Sequence, residues 1–420
     1  MRWRVSLRAA GLVVVLGTVA QLNAGVMYTV TDLGTLGGST SAPYGINDLG
    51  QVVGESSLPG NSTSHAFRTA PNQPINPLSD DLGSLGPGWS KGYGINNVGQ
   101  VVGDCWISAG VVHAFRTGPN KGIDATRDNL GTLGGSSSYA RAISDAGQVV
   151  GKSETLAGTW HAFRAAPDRP MDPSADDLGT FGGPWSEAYG INNAGQAVGE
   201  AWTVASRPRG FRTRPNNGID PATDDIGGLA DWASWASAIN ASGQVAGTSR
   251  PSLASGDVHA LHIFRTAPNE PINPVTDDLD TVGDWVPEVR DINDRGDIVG
   301  NLSRVEGDMV FISTFLYLGS SAFELGDIID PASDWKFEEV FAMNNRGQIV
   351  GVGYHDGIRR GFRLDPIPEP SSALLSIGVA TFFGCLRGRR LRVARVGAMS
   401  SQSFHIAFGE GAVHAIQETP

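Results

Sequence analysis

The sequence predicts an all-β fold, a seven-bladed β-propeller of four-stranded blades, with an N-terminal signal helix and a C-terminal single transmembrane helix. Three observations predict it. One eleven-residue phrase returns seven times at a nearly constant interval; each interval holds four short strand-like runs and no helical period; and an apolar run beside arginines lies near each end. The 420 residues divide accordingly into a signal peptide over 1–24, a propeller over 25–366, a sorting and transmembrane segment over 367–390 and an unassigned tail over 391–420.

Composition agrees with this division. With 56 glycines and 24 prolines the chain is rich in turn formers yet below the range of low-complexity disorder, and 40% hydrophobic against 18% charged residues supplies a core. The net charge is −12, although Arg2, Arg4 and Arg8 gather at one end and Arg387, Arg389, Arg390, Arg392 and Arg395 at the other. The middle is therefore more acidic still and carries no basic stripe, so nucleic acid is not an expected partner. Cys105 and Cys385 cannot build a disulfide framework, and no histidine motif accompanies Cys105.

The N-terminal arginines are followed by an apolar run from Ala9 to Ala20 and by small residues that suit cleavage after Ala20 or Ala24, the order of a secretory signal. Near the other end, PIPEP (366–370) precedes the uncharged run SSALLSIGVATFFGCL (371–386) and then RGRR (387–390). An uncharged run of this length stopped by arginines suits a short membrane span with its basic end in the cytoplasm. The order of Pro368, Glu369 and Pro370, apolar stretch, and Arg387, Arg389 and Arg390 resembles the PEP-CTERM sorting signal of Gram-negative bacteria that make exopolysaccharide. The resemblance implies exosortase-type sorting machinery as a partner, transient anchoring in the inner membrane, and delivery to the cell surface or exterior. Chains of that family end shortly after the arginines, whereas this one continues from Leu391 to Pro420.

The middle is built on YGINDLGQVVG (44–54), YGINNVGQVVG (93–103), RAISDAGQVVG (141–151) and YGINNAGQAVG (189–199), with weaker copies at 237–247, 290–300 and 341–351. Anchored on Gly50, Gly99, Gly147, Gly195, Gly243, Gly296 and Gly347, the period is close to 48 residues, lengthening to 53 and 51 at the end. The Asn-x-x-Gly turn between two apolar runs predicts a hairpin. HAFRT (65–69) and its relatives at 113–117, 161–165, 209–213, 262–266 and 360–364 alternate as a third strand, and DLGTLGG (32–38) with its copies supplies a fourth. The first DLGTLGG precedes the first hairpin and the last repeat lacks one, so the N-terminal strand is expected to complete the last blade and remove a free edge. The repeats resemble the bacterial HAF-repeat extracellular proteins, named for the triplet His65–Ala66–Phe67, over most of residues 28–365.

A residue present in every repeat serves packing or turn geometry, so function is expected where the symmetry breaks. His65, His113, His161 and His262 read as strand residues, and neither a metal nor a cofactor is expected. No catalytic residue is assigned. Carboxylates accumulate late in the chain, at Asp280, Asp284, Asp291, Asp294, Asp297, Asp327, Asp330 and Asp334, and read as a solvated rim. Tryptophans break the symmetry more sharply: Trp89, Trp185, Trp235, Trp285 and Trp335 fall in corresponding segments before the first strand of a repeat, where flat indole faces suit sugar rings or wedge between blades. The expected role is binding or structural, in an extracellular, exopolysaccharide-rich matrix. The alternatives are a propeller-fold glycan hydrolase or lyase and a protein-interaction scaffold.

Overall fold

The computed structural model describes residues 27–230, 232–250, 261–279, 285–306 and 309–368. It is an all-β propeller in which every repeat folds as an antiparallel meander, and the turn dictates this locally. In the first repeat Ser41–Ile46 runs into Val52–Ser57 and then Ser64–Arg68. The side-chain oxygen of Asn47 accepts from the backbone N–H groups of Leu49 and Gln51, the Gly50 N–H donates to the Asn47 carbonyl, and Gly50 takes φ +79°. An Asn side chain copies a backbone turn, and glycine adopts the left-handed conformation without strain.

Each first strand carries a bulge at the same place. Pro43 pairs with Gly54 and Gly45 with Val53, so Tyr44 is skipped; Tyr93, Arg141, Tyr189, Ser237, Arg290 and Phe341 are skipped in the same way. A bulge re-aims the side chain it displaces. Here it brings one side chain per repeat onto a common axis. The glycine opposite the bulge is needed for close approach rather than for its φ: a Cβ at Gly103 would lie 1.8 Å from the Lys91 carbonyl oxygen, and at Gly199 2.0 Å from that of Glu187. Beneath these glycines lie Phe67, Phe115, Phe163, Phe211, Phe264, Phe315 and Phe362, one from each repeat and all fully buried. They anchor the core clusters that separate one repeat from the next.

Serines join neighbouring repeats. The Ser90 hydroxyl donates to the Gly83 carbonyl and accepts from the Ala66 N–H, and Ser138 and Ser186 repeat the arrangement. At the seam between the chain's two ends Ser41 bonds Gly34 and Gly361 in the same way. The strand Tyr28–Asp32 pairs antiparallel with Ile358–Pro366, from Tyr28 opposite Pro366 to Asp32 opposite Phe362, so the seam is closed by main-chain hydrogen bonds.

The expectation of seven separate four-stranded blades is corrected, and the helices expected at the two ends fall outside the described residues. Five small sheets of three or four strands form, together with one seven-stranded sheet in which two successive repeats are joined where Trp160 bridges Trp185 in parallel. The fourth strand is stunted for a local reason. In DLG the aspartate accepts from the glycine N–H two residues on, as Asp81 does from Gly83 and Asp225 from Gly227, and these glycines take φ +75° and +83°. The turn ends pairing after one bridge, Phe67 with Asp81 and Phe211 with Asp225. No α-helix occurs among the described residues, where the only helical turns are the 3-10 segments Leu325–Ile328 and Pro331–Ser333, and no helix is long and apolar enough to cross a membrane. The expected signal segment over 1–24, the apolar run over 371–386 and Glu369, Pro370, Arg387, Arg389 and Arg390 lie outside the described residues; Pro368 is exposed just past the last strand. The compact unit holding the repeats ends at Ile367.

Candidate functional site: the aromatic end of the central channel

The seven turns, six of the Asn-x-x-Gly type and one opening on Ser144, stand around one axis. The Asn47 amide donates to the Asn96 carbonyl, that of Asn96 to Ser144, that of Asn192 to Asn240, that of Asn240 to Asn293, and that of Asn344 back to Asn47. A second circuit runs outside it, in which Asp48, Asn97, Asp145, Asp294 and Asn345 each present a side-chain oxygen to the N–H of an adjacent turn. These turns line a space of about 190 Å³ at one end of the axis. Above it is a waist of about 220 Å³ at the level of Gly45, Gly94, Ala142, Gly190, Ala238 and Ala342. The waist opens at the other end into about 580 Å³ bounded by bulge residues Tyr44, Tyr93, Arg141 and Tyr189 and by Glu187 and Trp235.

Beside that mouth lie two clefts. One, of about 660 Å³, is lined by Trp89, Lys91, Tyr93, Asp104, Tyr139 and Arg141; the other, of about 740 Å³, is lined by Trp160, Trp185, Trp202, Trp235, Pro208 and Glu200. Tyr93 and Arg141 border both the mouth and the first cleft, and Trp235 borders both the mouth and the second. The three spaces therefore adjoin.

The polar groups of this face follow one rule. A polar residue after the Val-Val-Gly glycine on the second strand reaches the first strand of the next repeat: Glu55 Oε1 meets Lys91 Nζ at 2.9 Å, Asp104 accepts from the Ala140 N–H at 3.1 Å, and Lys152 Nζ meets Glu187 Oε2 at 2.8 Å. Glu200 accepts from the Tyr189 hydroxyl at 2.7 Å and from the Trp235 indole of the next repeat. Asn301 both accepts from and donates to the backbone of Val340. Five of the seven repeats thus place different chemistry at this position to reach the next repeat, while the last has the apolar Val352 there.

Burial sets the charge states here. Asp104, fully enclosed, is pushed up to about 7 by desolvation, which Arg141 and the Ala140 N–H only partly oppose. Burial also raises Glu200, and the adjacent Glu187 carboxylate adds to the rise. Burial lowers Arg141, but Glu187 and Asp104 more than reverse this and hold it charged. The phenols of Tyr44, Tyr93 and Tyr189 are raised by burial and nearby carboxylates, so they remain donors.

The five tryptophans singled out by sequence are all partly buried but part company in space. Trp89, Trp185 and Trp235 stand on the channel face. Trp285 packs against a core cluster with Arg304 4.9 Å from its ring, and Trp335 packs against another, stacked on His355 at 4.9 Å. Sequence reasoning missed Trp160 and Trp202, which lie on other strands of their repeats, and missed the charged set Arg141, Lys152, Glu187 and Glu200. The signal available was the variable position after Val-Val-Gly.

The late carboxylates do not meet at the channel mouth. Asp291 lines the waist, where other repeats have Gly or Ala, and accepts from Met343 and Ile292 N–H. Asp297 pairs with Arg295 at 2.9 Å, Asp294 belongs to the turn circuit, and Asp280 and Asp284 lie outside the described residues. Each repeat histidine ties the third strand to the DLG turn: His65 to Asp81, His161 to Asp177 and His262 to Asp278, each at 2.9 Å, while His113 meets Asn129 at 3.0 Å and Arg209 replaces histidine against Asp225. Cys105 is buried, its thiol pushed up to about 12 by desolvation.

No family model matches the chain and no curated protein does. Among solved structures, the crystal structure of S. cerevisiae core factor aligns at 10% identity with a TM-score of 0.27, covering 87% of this chain and 64% of that one. The chain thus spans less than two thirds of that structure's length, and a likeness this low carries no argument.

Proposed function

We propose that the protein is a binding propeller that holds polysaccharide on the aromatic end of its channel, in the cell-exterior setting that its two terminal segments suggest. One observation carries the reading: four indoles from successive repeats, Trp160, Trp185, Trp202 and Trp235, border a single cleft with a carboxyl group on its wall. Flat apolar faces beside hydrogen-bonding groups suit a sugar ring, which has C–H faces and a hydroxyl perimeter. Delivery through a PEP-CTERM-type signal and a role in an exopolysaccharide matrix belong to this proposal and rest on the sequence resemblances alone.

The hydrolase or lyase alternative has weaker support. Glu187 and Glu200 are paired across adjacent strands, but they are committed in opposite directions, Glu187 back to Arg141 and Lys152 and Glu200 forward to Trp235. A propeller also suits a protein-interaction scaffold. Titration of the folded protein with soluble exopolysaccharide from the producing bacterium, followed by tryptophan fluorescence and calorimetry, tests the reading. Saturable binding that Trp185→Ala weakens at least tenfold is expected, and no binding by the parent protein overturns it.

A further inference from the structure

Resting on that reading, we infer that the channel face engages one polymer chain at two separate subsites, the four-tryptophan cleft and the Trp89–Tyr139 cleft, with the chain crossing the channel mouth between them. Each cleft alone is large enough for a few sugar units, at about 740 and 660 Å³, and the mouth adds about 580 Å³ between them. They adjoin the mouth through shared walls, Trp235 on one side and Tyr93 with Arg141 on the other.

The two ends differ in chemistry. The four-tryptophan cleft presents indoles, Pro184 and Pro208, with Glu200 as its one charged-type side chain, and Glu200 is drawn toward neutrality by burial. It takes the uncharged face of a sugar. The Trp89 cleft sets aromatic walls beside Lys91 and Arg141, each held by an acid, with Lys91 Nζ 5.6 Å from the Trp89 ring and the Arg141 guanidinium 5.2 Å from that of Tyr93. That cleft offers fixed hydrogen-bond donors to hydroxyl or carboxylate substituents. One chain class meets both demands, a heteropolysaccharide whose repeating unit includes neutral and substituted sugars. Two linked weak sites act through effective concentration, so affinity climbs with chain length until both are filled.

The test uses size-fractionated oligosaccharides of about two to ten units prepared from the producing bacterium's exopolysaccharide, titrated into the full folded protein and into Trp202→Ala, Trp89→Ala and the double variant. Trp202→Phe and Trp89→Phe keep a flat ring, and melting temperatures check folding. The expected result is affinity rising at least tenfold between the shortest and longest fragments, with either single alanine variant abolishing the rise while leaving short fragments bound at the other cleft. Affinity that is flat with length, or a rise insensitive to one of the two clefts, overturns the two-subsite inference and leaves polysaccharide binding intact. Absence of binding at every length removes the functional reading itself, and binding of a proline-rich peptide in place of every fragment does the same.

Discussion

Lys152 Nζ lies 2.8 Å from Glu187 Oε2 across the boundary between two repeats, while Arg141 Nε lies 2.7 Å from the other oxygen of the same carboxylate. Two boundaries earlier, between Glu55 and Lys91, the polarity is reversed. Glu187 is nearly fully enclosed, whereas its two cations are partly solvated. Glu187→Gln therefore removes the carboxylate that both cations share, leaving Arg141 only the Asp104 carboxyl, and a loss of about 2–4 kcal/mol is expected. Chemical denaturation checks it, and an unchanged midpoint would show that the cations simply turn outward to water.

The glycine facing each bulge admits no side chain. Gly199→Ala places a methyl about 2.0 Å from the Glu187 carbonyl oxygen, a backbone atom with nowhere to go. The strand pair must part, at a cost of roughly 2–4 kcal/mol. Gly158→Ala has open space but positive φ, and its smaller loss, about 1 kcal/mol, sets the scale for conformational strain alone. The comparison of melting temperatures separates close approach from φ.

What the sequence displayed was what one repeat needs by itself. The Asn47–Gly50 turn and the Phe67 strand are local, recur at a fixed interval and were legible, whereas the close approach of Gly54 to the Ala42 carbonyl was not. Phe315 was not, since its strand Met309–Leu318 belongs to a longer hairpin with Thr314 before it instead of the His-Ala pair. Sheet boundaries were also hidden, because the single bridge from Trp160 to Trp185 depends on how neighbouring repeats approach rather than on either one's pattern. The same applies to the site. Trp185 and Trp235 stood out by position, but Trp160 and Trp202 join them only through lateral packing, while Trp285 and Trp335, eight and nine residues before Asn293 and Asn344 where Trp185 is seven before Asn192, pack against core clusters.

Two acids, Asp104 in the core and Asp291 at the channel waist, fix the sign of the pH response near neutrality. Asp104 and Asp291 are each pushed up to about 7 by burial, above the value of about 3.9 for an aspartate in the unfolded chain. Between those values the folded protein binds a proton that the unfolded chain does not, so stability present at low pH falls as pH rises toward and through 7. Asp291→Asn removes one such proton and is expected to flatten the decline between about pH 4 and 7 by up to about 1.4 kcal/mol per pH unit, leaving the slope above pH 8 unchanged. Denaturant midpoints across that range read it, and an unaltered slope refutes the assignment. Asp81 and Asp177 act in the opposite sense at lower pH. Burial raises them, but hydrogen bonds from His65 with Gly83 and from His161 with Gly179 outweigh it, so their stabilisation is present above about pH 4 and fades as pH falls through their depressed values.

Closure of the ring rests on a strand supplied from the far end of the sequence. Tyr28–Asp32 covers the edge of Ile358–Pro366, Tyr28 lies buried in the same cluster as Phe362 and Leu364, and Ser41 ties Gly34 to Gly361 across the seam. Removing residues 1–32 uncovers the strand edge and takes the Tyr28 ring from the cluster. An uncovered edge recruits other chains. The truncated protein is therefore expected to aggregate or dimerise through that edge and to lose several degrees in Tm, while Ser41→Ala, which removes only the polar link, stays monomeric and loses about 1–2 kcal/mol. Light scattering with thermal melting distinguishes the two. A truncated chain that remains monomeric with an unchanged melting temperature would mean that the core under Phe362 holds the seam without its strand.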